Sequence, residues 1–373
     1  MNKRILSVAL LLAAFACTPT EKKDPLALDK ANFETTIDGK TTQFFELTNA
    51  NGMKVALSNY GARILSACVP DKDGKMADVI LGFSSLEGYK TNEYNALIGP
   101  YANRINDGAF KIDSITYILS TADNGNCLHN GAVGFKHSIF NAVQNGNSVV
   151  MTINSADGEF GFPGNKTVKI TYTLTDDNAI QMDYEATSDK ACPFNLTNHA
   201  YFNLRGEGNG DILAHEMFID ADSTTVVNAE LIPTGEIVSI KGTDMDFTTP
   251  TVIGNRINSD MEALKLGNGY DHNYILNKDQ NGNAMTLAAR VVEPESGRVL
   301  EVLTTEPAIQ FYAGNFQDGT LTGKGGNKYA FRTGFCLETQ HYPDSPNHAN
   351  FPSTILNAGD TLKTTTIYKF SVK

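Results

Sequence analysis

The chain has 373 residues, with 42 Asp and Glu against 30 Lys and Arg and a formal net charge of −12. So acidic a balance argues against nucleic acid as a partner, because phosphate binding calls for a basic patch. With 41% hydrophobic and 19% charged residues the composition is that of an ordinary globular protein, and no segment beyond the N-terminal one approaches the length of a transmembrane helix.

In chain order, Met1 to Ala16 carries Lys3 and Arg4, then an apolar run from Ile5 to Phe15, then a small residue before Cys17. This is the layout of a secretory signal peptide, and its apolar run is too short to span a bilayer. Removing it takes the formal charge from −12 to −14. A small residue followed by Cys17 resembles the lipobox of bacterial lipoproteins, in which that Cys is acylated and becomes the mature N-terminus, although Ala14 and bulky Phe15 depart from the usual pattern. The expected product is exported, periplasmic or membrane-anchored, and touches the membrane only through the lipid. Residues 17–32, with Pro19, Pro25 and several charges, read as a flexible tether. The other four cysteines, Cys68, Cys127, Cys192 and Cys336, are widely spaced without a CxxC pair and are expected to be mostly buried thiols.

From residue 33 to 373 strand signals recur, rich in Val, Ile, Thr, Phe and Tyr: Thr42 to Thr48 before the Asn51–Gly52 turn, Val55 to Ser58, Val149 to Ile153, Thr167 to Leu174 and Ile180 to Ala186. Helical periodicity is confined to two short stretches, Ser84 to Lys90 and Met261 to Leu266. No linker or fixed-period repeat divides the body, so the pattern predicts one all-β domain, a large sandwich of antiparallel sheets with a concave face.

One stretch is unusual. In Asn195 to Leu204 (NLTNHAYFNL), strand alternation would place Asn195, Thr197, His199, Tyr201 and Asn203 on one face, with no full charge among them. Neutral groups that both donate and accept hydrogen bonds suit a hydroxyl-rich ligand such as a sugar. His199 then becomes a candidate proton donor, against the plainer reading of a histidine satisfied by its sheet neighbours. Glu338, a lone carboxylate after Phe335, Cys336 and Leu337, is a candidate general base whose pKa burial would raise, or else a strand-end carboxylate facing water. Asp271 in NGYDHNY, Asn103 and Arg104 in YANRI, and His129 in CLHNG are polar turns beside apolar runs. With no Trp in the chain, a stacking platform for a sugar must be Phe or Tyr, and Tyr201, Phe202 and Phe160 are the candidates.

Taken together, NRI, LHNG, GFPG (Gly161 to Gly164), TNHAYFNL, GYDH, QFYAGN (Gln310 to Asn315), and LETQ followed by PDSPNH (Pro343 to His348) run in order through nearly the whole mature chain. This set resembles the aldose 1-epimerase, or galactose mutarotase, family. The resemblance implies a galactose-mutarotase-like β-supersandwich that interconverts α and β anomers of free aldohexoses without cofactor or metal. It implies His199 as acid, Glu338 as base, and Asn103, Arg104, His129, Asp271 and Gln310 as substrate-binding positions.

Two departures stand out: Pro100 where many members have Arg, and Asn130 where LHGG would have Gly. Pro100 spares Asn103 and Arg104, so altered packing near the cleft is expected, not loss of activity; Asn130 tolerates a left-handed turn better than most residues. The readings to be weighed against mutarotation are an epimerase of another sugar, a glycan-binding lipoprotein without turnover, and a hydrolase using Asp271 and Glu338. The resemblance implies a monosaccharide substrate, and the protein is expected as a monomer or a homodimer.

Overall fold

The computed structural model describes residues 28–280 and 283–373. The signal segment, Cys17 and most of the tether lie outside the described residues. Phe33 is the first fully buried side chain among them.

Three antiparallel sheets carry the architecture. The largest has nine strands, in the order Asn141–Asn145, Ser148–Ser155, Lys166–Leu174, Ala179–Ser188, Thr361–Val372, Arg298–Thr304, Thr286–Val292, Glu216–Ile219 and Thr251–Val252. The second has six, in the order Tyr201–Phe202, Phe335–Gln340, Ala308–Tyr312, Asp271–Leu276, Ala221–Val227 and Pro233–Ser239. The third has four, from Phe44–Thr48 to Met76–Asp78. The five strands anticipated from alternation all form, each within two residues of its expected ends. The two helical stretches are a 3-10 turn at Leu86–Tyr89 and an α-helix at Glu262–Leu266.

The period-two pattern explains how the sheets close on one another. Val168, Ile170 and Tyr172 of the nine-stranded sheet, Leu337, Phe311 and Ile309 of the six-stranded sheet, and Val55 and Leu57 of the four-stranded sheet all belong to one apolar core. Hydroxyls bridge the first two sheets: Thr339 Oγ1 meets Thr366 Oγ1 at 2.5 Å, and Tyr368 donates to the Leu337 carbonyl at 3.3 Å. Burying that face leaves the opposite face of the six-stranded sheet to be covered by loops. The cleft forms there.

Cys127, Cys192 and Cys336 are buried free thiols and Cys68 is buried as well, as their scattered spacing suggests.

Candidate active site

Three of the polar residues share one sheet face by register. In the antiparallel pairing Tyr201 lies opposite Cys336, Cys336 opposite Tyr312, and Tyr312 opposite Asp271. One step along, Glu338 lies opposite Gln310 and Gln310 opposite Asn273. Paired residues point to the same side of a sheet, so these two rows make a continuous polar patch while Leu337, Phe311 and Tyr274 point into the core. Asp271 accepts a 2.7 Å hydrogen bond from Gln310 Nε2, and Asn315 of the QFYAGN motif holds the preceding turn by donating to the Gly267 and Tyr270 carbonyls.

The facing wall is built from tight turns. Asn103, His129 and Asn130 have φ of 64°, 50° and 63°. Such left-handed backbone is costly for most residues and is occupied here mainly by Asn, as expected for Asn130. The turns lock each other: His129 N–H donates to the Asn103 carbonyl, Asn103 N–H donates to His129 Nδ1 at 3.2 Å, and Arg104 N–H donates to Asn103 Oδ1. Arg104 Nε donates to Asp123 at 2.9 Å, and its carbonyl accepts from Asp344 N–H. The PDSPNH segment therefore braces the strand that carries Arg104. Asn130 donates to the Gly99 carbonyl at 2.6 Å and accepts from Tyr101 N–H at 3.3 Å. Its side chain thus straddles Pro100 and ties the two departures from the family pattern to each other.

The polar stretch around His199 is not the single alternating strand that the sequence suggests. Thr197–Asn198 pairs with Leu97–Ile98, and Tyr201–Phe202 pairs with Phe335 and Cys336, so the chain crosses between two sheets at His199 and Ala200. All ten residues are buried. Asn195 and Asn203 spend their amides on backbone carbonyls, and only His199 and Tyr201 of the five reach the cleft. Alternation fails because the hydrogen-bond partners change halfway along.

Asn103, Arg104, His129, His199, Asp271 and Glu338 line one cleft of about 450 Å³. Gln310 sits between Asp271 and Glu338 in the sheet. Glu338 is 2% exposed, and its Oε1 lies 3.8 Å from His199 Nε2. Burial pushes its pKa from the ordinary 4.5 to about 7; His199 pulls it down and Asp271 pushes it further up. Its Oε2, like Gln310 Oε1, has no hydrogen-bond partner among the described residues, leaving two buried acceptors for a ligand's hydroxyls. His129 stands edge-on to His199 at a ring distance of 5.0 Å, and burial, reinforced by the neighbouring His199, holds it well below the usual histidine range.

A metal has little to recommend it here. His129, His199 and Glu338 do bring one ligand atom each within 4.8 Å. With Nδ1 of His129 accepting from Asn103, however, the neutral ring carries its proton on Nε2, which makes that atom a donor suited to a sugar oxygen and not a metal ligand.

Of the proposed stacking residues, only Tyr201 borders the cleft. Phe202 lies in the core, and Phe160 packs edge-on against Phe135. Tyr312 and the 58% exposed Phe316, stacked on it at 6.1 Å, form the rim instead, with Leu231 and Glu93 also present. Tyr312 was within reach of the sequence, since it alternates with Gln310; Glu93, Leu231 and Phe316 sit in loops that carry no local pattern. GFPG lies away from the cleft: Phe162 is in the core, and a Cβ on Gly161 (φ 86°) would fall 2.4 Å from the Ile118 carbonyl.

A buried carboxyl pushed up to about 7, an imidazole nitrogen 3.8 Å from it, and the amides, Arg104 and Asp271 around them make a cleft chemically suited to a hydroxyl-rich ligand and to proton transfer. The chain belongs to the aldose 1-epimerase family, whose model matches residues 43–369. It is similar to galactose mutarotase of Homo sapiens, 42% identical over 336 residues that cover 90% of this chain and 95% of the relative. Aldose 1-epimerase of Escherichia coli (strain K12) is 39% identical over 338 residues, covering 89% and 96%. The solved galactose 1-epimerase from Lactobacillus acidophilus NCFM superposes with a TM-score of 0.77 at 29% identity, over 91% of this chain and 97% of that one. The antiparallel all-β architecture expected from the sequence is present, and the chain shares its fold with that solved structure.

Proposed function

We propose that the protein interconverts the α and β anomers of free aldohexoses such as galactose and glucose, with Glu338 as base and His199 as acid. The observation that carries these roles is the pair itself: a buried carboxyl whose pKa is pushed up to about 7, facing an imidazole nitrogen at 3.8 Å in the cleft. Opening a hemiacetal requires the anomeric hydroxyl to lose a proton while the ring oxygen gains one. Glu338 takes the first and protonated His199 gives the second; the open aldehyde rotates about C1–C2 and recloses with the roles reversed. Each group contributes on the order of 10²–10⁴ in rate. Arg104 and His129 donate to sugar oxygens, and Asp271, held by Gln310, fixes the orientation of the ring. The test is polarimetry on freshly dissolved α-D-galactose and α-D-glucose. A folded protein that leaves the spontaneous rate unchanged would point to a glycan binder without turnover.

The signal-like segment and Cys17 support export and lipid attachment, with the sugar site held on the far side of a short tether. Such a protein would equilibrate anomers outside the cytoplasm before an anomer-selective transporter takes them up. Mass spectrometry of the mature N-terminus decides the anchor: an acylated Cys17 is expected, and an unmodified N-terminus elsewhere would remove it. Unchanged uptake of single-anomer galactose after deletion of residues 1–17 would remove the role.

A further inference from the structure

The imidazole of His199 is flanked at both nitrogens by side chains of the same strand. Glu338 Oε1 faces Nε2 at 3.8 Å, and the Cys336 sulfur lies 3.4 Å from Nδ1. Cys336 and Glu338 are two residues apart in Phe335–Gln340, so both stand on the cleft side of the sheet with the ring between them. Cys336 is fully buried and is the cross-strand partner of Tyr201, whose ring stacks on that of His199 at 5.0 Å. The contact is thus held by sheet register and by stacking together.

We propose that Cys336 is a positioning residue for His199: its sulfur accepts the Nδ1 proton and fixes the tautomer whose Nε2 serves the substrate and Glu338. The inference rests on the assignment of His199 as acid. During ring opening the Nε2 proton passes to the sugar's ring oxygen and Glu338 takes the anomeric hydroxyl proton; Nδ1–H stays on its nitrogen throughout, and Nε2 recovers its proton on reclosure. A thiol suits this position because sulfur is a weak, uncharged acceptor. A carboxylate there would stabilise the imidazolium and make it reluctant to give up its proton. Burial, with the charge of Glu338 behind it, keeps the Cys336 thiol far above the usual range, so it adds no charge of its own. The titratable groups around the ring are Glu338, His129, Cys336 and Tyr201, with Arg104, Asp271 and Glu93 across the cleft. Among them Cys336 is the one whose atom meets Nδ1.

Nitrogen-resolved NMR of His199 in the intact protein, assigned by its loss in His199→Asn, reads the tautomer directly. Neutral His199 is expected as the Nδ1–H form. Cys336→Ala should mix the tautomers and lower kcat by about tenfold to a hundredfold with little change in KM, the scale of a misplaced catalytic group. Cys336→Ser, which restores an acceptor, should recover the Nδ1–H form and most of kcat. An Nε2–H tautomer in the parent would overturn the proposal without any variant having to fold, and so would Cys336→Ala with parental kcat and pH profile. His199→Asn at the parental rate would instead remove the acid assignment, an outcome the spectrum keeps separate from the contact.

Discussion

Replacing Glu338 by Gln should stabilise the protein while abolishing its function, and the gain should depend on pH in a way set by the burial of this one carboxyl. Its folded-state pKa is raised from 4.5 to about 7, so between those values the native protein holds a proton that the unfolded chain has released. Stability therefore falls as pH rises through this window, and the full cost of ionising this one group is present above about pH 7. At about 1.4 kcal/mol for each pH unit between the two values, the loss comes to roughly 3 kcal/mol. Gln keeps the shape and never ionises, so it escapes that loss. Urea unfolding of parent and Glu338→Gln should give nearly equal stabilities below pH 4.5 and a gap of roughly 3 kcal/mol in favour of the variant at pH 8. A gap that does not change between the two conditions would refute the claim that Glu338 is held against its ionisation.

The acid limb of kcat/KM should have its midpoint near pH 7, where Glu338 becomes a base, and Asp271→Asn should move it to lower pH because the Asp271 charge opposes ionisation of Glu338. A limb that stays in place in this variant would mean that the two carboxyls do not sense each other. Gly161→Ala should cost about 1 kcal/mol or more in thermal unfolding, since it places a Cβ against the Ile118 carbonyl in left-handed backbone, and should leave the activity per folded molecule unchanged. Lost activity in the folded variant would return GFPG to the site. Arg104→Lys keeps the charge but not the planar fork or the hydrogen bond to Asp123; kcat/KM should fall about tenfold in steady-state assays, and parental kinetics would show that charge alone suffices at this position.

Much of this was legible because period-two alternation survives in the strands that carry the site. Gln310 stands between apolar Ile309 and Phe311, and Glu338 follows Leu337, so each sits on the face opposite the core, and register brings Asp271 to the same face. His199 was legible as a residue but not in its setting. Its backbone bonds join Asn95 and Ala96, about a hundred residues earlier, and Tyr201 then turns to Cys336, so alternation within the stretch says nothing about which side chains reach the cleft. The same limit hid Glu93, Leu231 and Phe316, whose place in the cleft depends on loops packing over the sheet. GFPG and PDSPNH marked the family without marking the chemistry: the first fits a close backbone approach, and the second braces Arg104 through Asp344.

The central claim is that Glu338 and His199 act on the same step, one at each end of the hemiacetal. Polarimetric kcat for His199→Asn, Glu338→Gln and the double variant tests it most directly. Each single variant should lose on the order of 10²-fold or more, and the double should be nearly as active as the weaker single, because removing either member already disables the pair. A single variant within about threefold of the parent would contradict the account, as that residue would then lack the 10²-fold or larger contribution expected of an acid or base.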